Sequence, residues 1–233
     1  MSVKTQWMEI DAGGGERYDG YLALPRAGKG PGVIIVQEIF GVNEHIRSVA
    51  EQYALAGYVA LAPDIFWRSE RRVELGYEGA DRDKALALLK QVDAGQSAAD
   101  LGAAAKALRA LPETSGKVGA VGFCFGGQLA YLMAARGTVD AAVAYYGGGI
   151  QNKLDEAANI RVPMLFHYAE HDSSIPQTAV ADVKQHFAGH ANAQFHDYAG
   201  VGHGFNCSDR SAYDQHASAL AHGRTLVFLS SNL

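Results

Sequence analysis

A cysteine sits among glycines in the run Gly122-Phe123-Cys124-Phe125-Gly126-Gly127, an aspartate follows a later apolar stretch at Asp172, and a histidine lies in the glycine-rich loop Gly202-His203-Gly204-Phe205. A thiol nucleophile needs a base to take its proton, and an imidazole base needs a carboxylate to fix its tautomer and steady its cation. Cys124, Asp172 and His203 supply those three roles. Residues 118–121 read as a short buried strand and 128–136 as a helix, so Gly122-x-Cys124-x-Gly126 has the form of a nucleophile elbow. Such a turn aims the positive end of a helix dipole at the sulfur and favours thiolate over thiol. It also places the Phe125 amide to donate to an oxyanion. The plainer reading is a buried cysteine on a glycine-rich turn of the nucleotide-binding kind, a capping aspartate and a polar loop histidine.

The order nucleophile, acid, histidine is that of α/β-hydrolases, unlike the orders of chymotrypsin or subtilisin. The remaining histidines are weaker candidates. His186 and His190 have an i, i+4 spacing, but the segment lacks the glutamate of a zinc-protease helix. His167 and His171 flank Asp172 as supporting or surface groups. No cluster argues for a metal.

The elements that must carry these groups alternate. Strands are expected at 3–10, 17–24, 32–36, 58–62, 118–121, 141–146, 163–168 and 194–198. Helices are expected at 44–56, 81–92, 97–111, 128–136, 178–187 and 212–229. Ser97 is the expected N-cap of the third helix, with Asp100 three positions on. Residues 66–79 are irregular, charged and aromatic, either a flap over a site or a surface excursion. Strands alternating with helices imply a mostly parallel, twisted sheet with helices on both faces. Ligands of such sheets gather at the carboxyl ends of the strands, where Glu38, Cys124, Asp172 and His203 all fall. With no internal repeat or linker, the 233 residues are expected to form one domain, 1–233.

The net charge of −5 offers no basic footprint for nucleic acid, and no apolar run is long enough for a membrane span. A small molecule is the expected partner; the oligomeric state is left open, a monomer included. Two cysteines are too few for a disulfide scaffold, and the first residues lack a signal-peptide core. Both features point to a reducing cytoplasm.

Gln37-Glu38-Ile39-Phe40-Gly41-Val42-Asn43, the elbow, Asp172 and the His203 loop together resemble the dienelactone hydrolase family, over nearly the whole chain in order and spacing. The resemblance implies an α/β-hydrolase fold, no cofactor, and hydrolysis of a lactone through a cysteinyl ester. It implies Cys124 as nucleophile with Asp172 and His203 as partners, Glu38 as the glutamate that meets the thiol, and the Ile39 and Phe125 amides as the oxyanion hole. A carboxylate about 5 Å from a thiolate would cost roughly 3 kcal/mol at an effective dielectric near 20, so Glu38 could keep the thiol protonated at rest. Family members hold a substrate carboxylate with two arginines. Arg82 matches the first and Tyr145 a pocket residue, but the second arginine position is Cys207, and Arg210 is no obvious replacement. Either the substrate differs, or Arg68, Arg71 or Arg72 compensates. A thioesterase or peptidase on the same fold, or a thiol redox sensor using Cys124 and Cys207, are the alternatives.

Overall fold

The computed structural model describes residues 3–233. A hairpin of β1 (Lys4–Gly13) and β2 (Glu16–Leu24) turns through Gly13, Gly14 and Gly15, all at positive φ. β2 runs antiparallel to β4 (Val59–Pro63). From there the sheet is parallel: β4, β3 (Gly30–Val36), β5 (Thr114–Phe123), β6 (Ala141–Tyr145), β7 (Met164–His171) and β8 (Ala193–Gly202). The strand order is β1-β2-β4-β3-β5-β6-β7-β8. β4 and β6 are buried along their whole length, and so are most residues of β3 and the second half of β5. Their continuous apolar runs follow from being covered on both faces.

The helices are α1 (Glu44–Leu55), α2 (Gly79–Leu89), α3 (Ala94–Ala110), α4 (Phe125–Ala135), α5 (Gln177–His186) and α6 (Gln215–Asn232). α3 and α4 pack together against β5, while α1 and α6 meet through the Tyr53 and His222 rings. The architecture is that of an α/β-hydrolase.

Two boundaries differ from the sequence reading for a local reason. α3 begins at Ala94 because the Asp93 carboxylate accepts from the Gln96 amide at 2.6 Å, leaving Ser97 inside the helix. Asp100, expected as a capping partner, instead accepts from Trp67 and Arg68. α4 starts directly after Cys124, with no intervening loop.

Residues 66–79 are irregular but fixed. Phe66, Val73 and Leu75 pack with Phe40 and with Ala85 and Leu88 of α2 in a separate small core. The Asp64 carboxylate accepts from the Phe66 and Arg72 amides, and the Leu75 amide donates to the Phe40 carbonyl at 3.0 Å. The segment is a packed cover beside the carboxyl end of β3.

Candidate active site

Cys124 has φ 55° and ψ −119°, a left-handed backbone that a non-glycine residue adopts only under constraint, at a cost of about 1–3 kcal/mol. The constraint is steric crowding by backbone. A Cβ on Gly122 would lie 1.9 Å from the Gly126 carbonyl oxygen, and one on Gly126 would lie 2.3 Å from that of Val36. The first turn of α4 therefore rests directly on the end of β3. The Cys124 amide donates to the Tyr145 carbonyl at 3.0 Å, which ties the elbow to β6. The first amides of α4 have no partner within the helix, so the sulfur and any oxyanion beside it face a positive dipole end.

His203 reaches this turn from the loop after β8. Its Nδ1 is 2.8 Å from Asp172 Oδ2, and Cys124 is near enough to act on its ring electrostatically. Asp172 is held in place by the Ser174 and Ile175 amides, which donate to its Oδ1 at 2.8 and 3.0 Å. Burial disfavours the His203 cation, but the hydrogen bonds and charges of Asp172 and Cys124 outweigh it and raise the imidazole to about 10. Three side chains far apart in sequence thus meet at one place, with His203 bonded to Asp172 and acted on by Cys124.

Glu38, 1% exposed at the end of β3, accepts from Arg210 Nη1 at 2.9 Å through Oε1. Its other oxygen, Oε2, has no partner among the described residues. Arg210 comes back over the site through successive turns: the Cys207 amide donates to Gly204, that of Arg210 to Cys207, and that of Tyr213 to Arg210. Gly204 is at φ 85°, and a Cβ there would meet the Arg210 guanidinium at 2.6 Å. The guanidinium lies 5.9 Å from the Phe40 ring and 5.8 Å from that of Tyr77. Cys207 is fully buried near Tyr77; burial and the Glu38 charge push its thiol up to about 12.

Other sequence candidates lie elsewhere. Tyr145 is buried in the core, its hydroxyl 2.6 Å from Thr225 Oγ1 of α6, and it does not face the thiol. Tyr146, just past the end of β6 at φ 36°, stands near the site instead: its ring is 5.0 Å from that of His203 and its hydroxyl has no partner among the described residues. Arg82 is exposed on the first turn of α2. Arg68, Arg71 and Arg72 are engaged away from the thiol by Asp100 and Glu16, the Arg17 carbonyl, and Asp19, so none substitutes for the missing clamp. His167 is buried between Tyr198 and Thr225; His171 and His186 are exposed, and His190 packs on Phe187. Among the described residues no group of three or more His, Cys, Asp or Glu could hold a metal ion, and no helix is long and apolar enough to cross a membrane.

The sequence profile of the dienelactone hydrolase family matches residues 18–233. The chain belongs to that family. Carboxymethylenebutenolidase 1 of Cupriavidus pinatubonensis is 36% identical over 224 residues, covering 96% of this chain and 95% of that one. The carboxymethylenebutenolidase of Pseudomonas putida is 34% identical over 227 residues, covering 97% and 96%. A crystal structure from Klebsiella pneumoniae, provisionally described as a dienelactone hydrolase, superposes with a TM-score of 0.85 at 30% identity and covers 97% of this chain and 99% of that one. As a member of the family this chain is a hydrolase, and its small-molecule partner is an ester or lactone. Sequence reading set Arg210 aside because no spacing rule brings residue 210 back over residue 204, and it missed Tyr146, whose place depends on the turn after β6.

Proposed function

We propose that this dienelactone hydrolase family member opens small lactones or esters through a thioester on Cys124. The observation that carries the reading is the His203 ring, bonded to Asp172 at 2.8 Å and within electrostatic reach of Cys124 at the elbow. Asp172, and the Cys124 thiolate once the thiol has ionised, raise the His203 imidazole, so its ring holds the proton that the leaving oxygen needs. Glu38, paired with Arg210, is electrostatically muted, so the repulsion expected of a bare carboxylate is offset at rest.

An anionic group on the substrate competes for Arg210. Freed of its counter-ion, Glu38 becomes a stronger base and takes the Cys124 proton. The thiolate attacks the carbonyl carbon, and the Ile39 and Phe125 amides hold the oxyanion. As the intermediate collapses, the C–O bond breaks and His203 gives its proton to the leaving oxygen. His203, now neutral, takes a proton from water, and the hydroxide attacks the thioester. The C–S bond breaks, the thiolate recovers its proton from Glu38, and an acid with a free hydroxyl departs. Each cycle consumes one water and returns every group to its starting state. Arg210 stands where the second arginine of the clamp was expected from position 207, and Arg82, exposed on α2, is the other candidate anion contact.

A redox-sensor role draws no support from Cys207, because a thiol pushed up to about 12 is a poor nucleophile. The test is Cys124→Ala. It should abolish turnover of lactones and activated esters while the protein still folds, and mass spectrometry of the native enzyme mixed with an activated ester should find the acyl group on Cys124. Undiminished turnover by the variant overturns the mechanism.

A further inference from the structure

The Arg210 guanidinium carries five N–H donors, and among the described residues it spends one of them, from Nη1 to Glu38 Oε1 at 2.9 Å. Hydrogen bonds therefore do little to fix it; its surroundings do. A Cβ on Gly204 would lie 2.6 Å from Nη1, 2.7 Å from Cζ and 2.9 Å from Nε. Three guanidinium atoms are thus nearly equidistant from that point, so the plane turns its face to the bare Cα. The rings of Phe40 and Tyr77, with centroids 4.5 Å apart, come within 5.9 and 5.8 Å of Cζ. An aromatic face attracts a cation without occupying any of its N–H groups.

Tyr77 is brought to this place by the 66–79 segment. The Leu75 amide donates to the Phe40 carbonyl at 3.0 Å. Asn43 Nδ2 donates to the Leu75 carbonyl at 3.0 Å and to the Tyr77 hydroxyl at 3.1 Å, while its Oδ1 caps α1 by accepting from the Ile46 amide. The tyrosine is therefore mounted, by way of Phe40 and Asn43, on the same 37–43 run that carries Glu38. When an anion draws the guanidinium off Glu38, the rings and the Gly204 face remain. Without them a long flexible side chain would be released to water and would have to be ordered again for each substrate.

We propose that Tyr77 is a positioning residue for Arg210: its ring, backed by Phe40, keeps the guanidinium over Gly204 once it has released Glu38, so that two unspent donors meet a substrate carboxylate as a fork. This rests on the reading of Arg210 as the anion contact, and it gives the 66–79 segment a part in choosing the substrate.

The test compares mono-4-nitrophenyl succinate, an activated ester carrying a carboxylate, with its uncharged methyl ester, reading KM and the burst rate of thioester formation. Tyr77→Leu removes the ring. It is expected to raise KM for the charged ester by about fivefold, leaving the burst rate at saturation and KM for the methyl ester within about twofold of native. Tyr77→Phe keeps the ring and should stay within about twofold of native for both esters. A change shared by the two esters in Tyr77→Leu, or an equal loss in Tyr77→Phe, makes Tyr77 a prop for its segment alone and overturns the proposal. If Arg210→Lys separates the esters and Tyr77→Leu does not, the Tyr77 proposal falls and the Arg210 reading stands. If Arg210→Lys treats both esters alike, the Arg210 reading falls and the proposal with it. A check that needs no change at Tyr77 uses NMR of Cys124→Ala saturated with the charged ester. There the Arg210 Nε–H resonance, assigned by its absence from Arg210→Lys, should keep the upfield displacement that the ring faces give it in the free protein. Its return to the position of an exposed arginine overturns the proposal.

Discussion

Two buried carboxylates in this protein are each met by an arginine, and they are treated in opposite ways. Asp100 on α3 receives Arg68 in two-pronged fashion, Nε to Oδ2 and Nη2 to Oδ1, both at 2.9 Å, together with Trp67 Nε1 at 3.0 Å and Gln96 Nε2 at 3.1 Å. Glu38 receives one prong of Arg210, and its second oxygen is left bare. A carboxylate with every acceptor position filled is a rivet, joining the 66–79 segment to α3. One left half satisfied holds a free energy that the fold has not spent and chemistry can use. Ion-pair distance alone does not separate the two; the count of remaining donors does.

The largest effect that would break this comparison is expected at Glu38. Glu38→Gln should slow thioester formation by about 10²- to 10⁴-fold while changing unfolding free energy by less than about 1 kcal/mol, because Arg210 can rehydrate. An equal loss in stability would make Glu38 a second rivet. Asp100→Ala should do the reverse. Leaving Arg68 and Trp67 without their acceptor should lower stability by about 3–5 kcal/mol in chemical denaturation, with the burst rate of the folded enzyme retained.

Arg210→Lys keeps the charge but loses the planar fork. It should raise KM for a carboxylate-bearing ester by about tenfold relative to an uncharged one; equal effects on both esters would remove Arg210 from substrate binding. The smallest effect concerns pH. His203 is raised to about 10 from an ordinary value near 6.5, so the folded state binds the extra proton between those values. Its contribution to stability is complete below about pH 6.5 and is lost as pH climbs toward 10. Cys124→Ala removes the sulfur's share and should flatten that decline, measured as unfolding free energy against pH.

Much of this arrangement was legible in the sequence because it is local. The apolar runs of β3 to β6 mark strands buried on both sides, and Gly122 and Gly126 mark an elbow whose crowding is backbone on backbone. Asp172 and His203 were readable by their place after strands. What could not be read depended on long-range return of the chain: Arg210 lies three residues past the expected position, yet the turns from Gly204 to Tyr213 fold it back over the thiol. The surroundings of Tyr145 were unreadable for a similar reason: its bond to Thr225 of α6 is made by a residue 80 positions away. The start of α3 lies earlier than read because Asp93 caps it one turn before Ser97, accepting from the Gln96 amide.

The glycines beneath the sulfur carry a further implication. With a methyl group at residue 122 or 126 driven to within 1.9 or 2.3 Å of carbonyl oxygen, nothing can be added to the mounting without moving a strand. The atom it presents is under no such restriction, and an oxygen would sit where the sulfur does. Drift in a lineage built on this turn is therefore channelled: the reactive element can be exchanged in a single codon step, whereas the socket that aims it admits no variation at all.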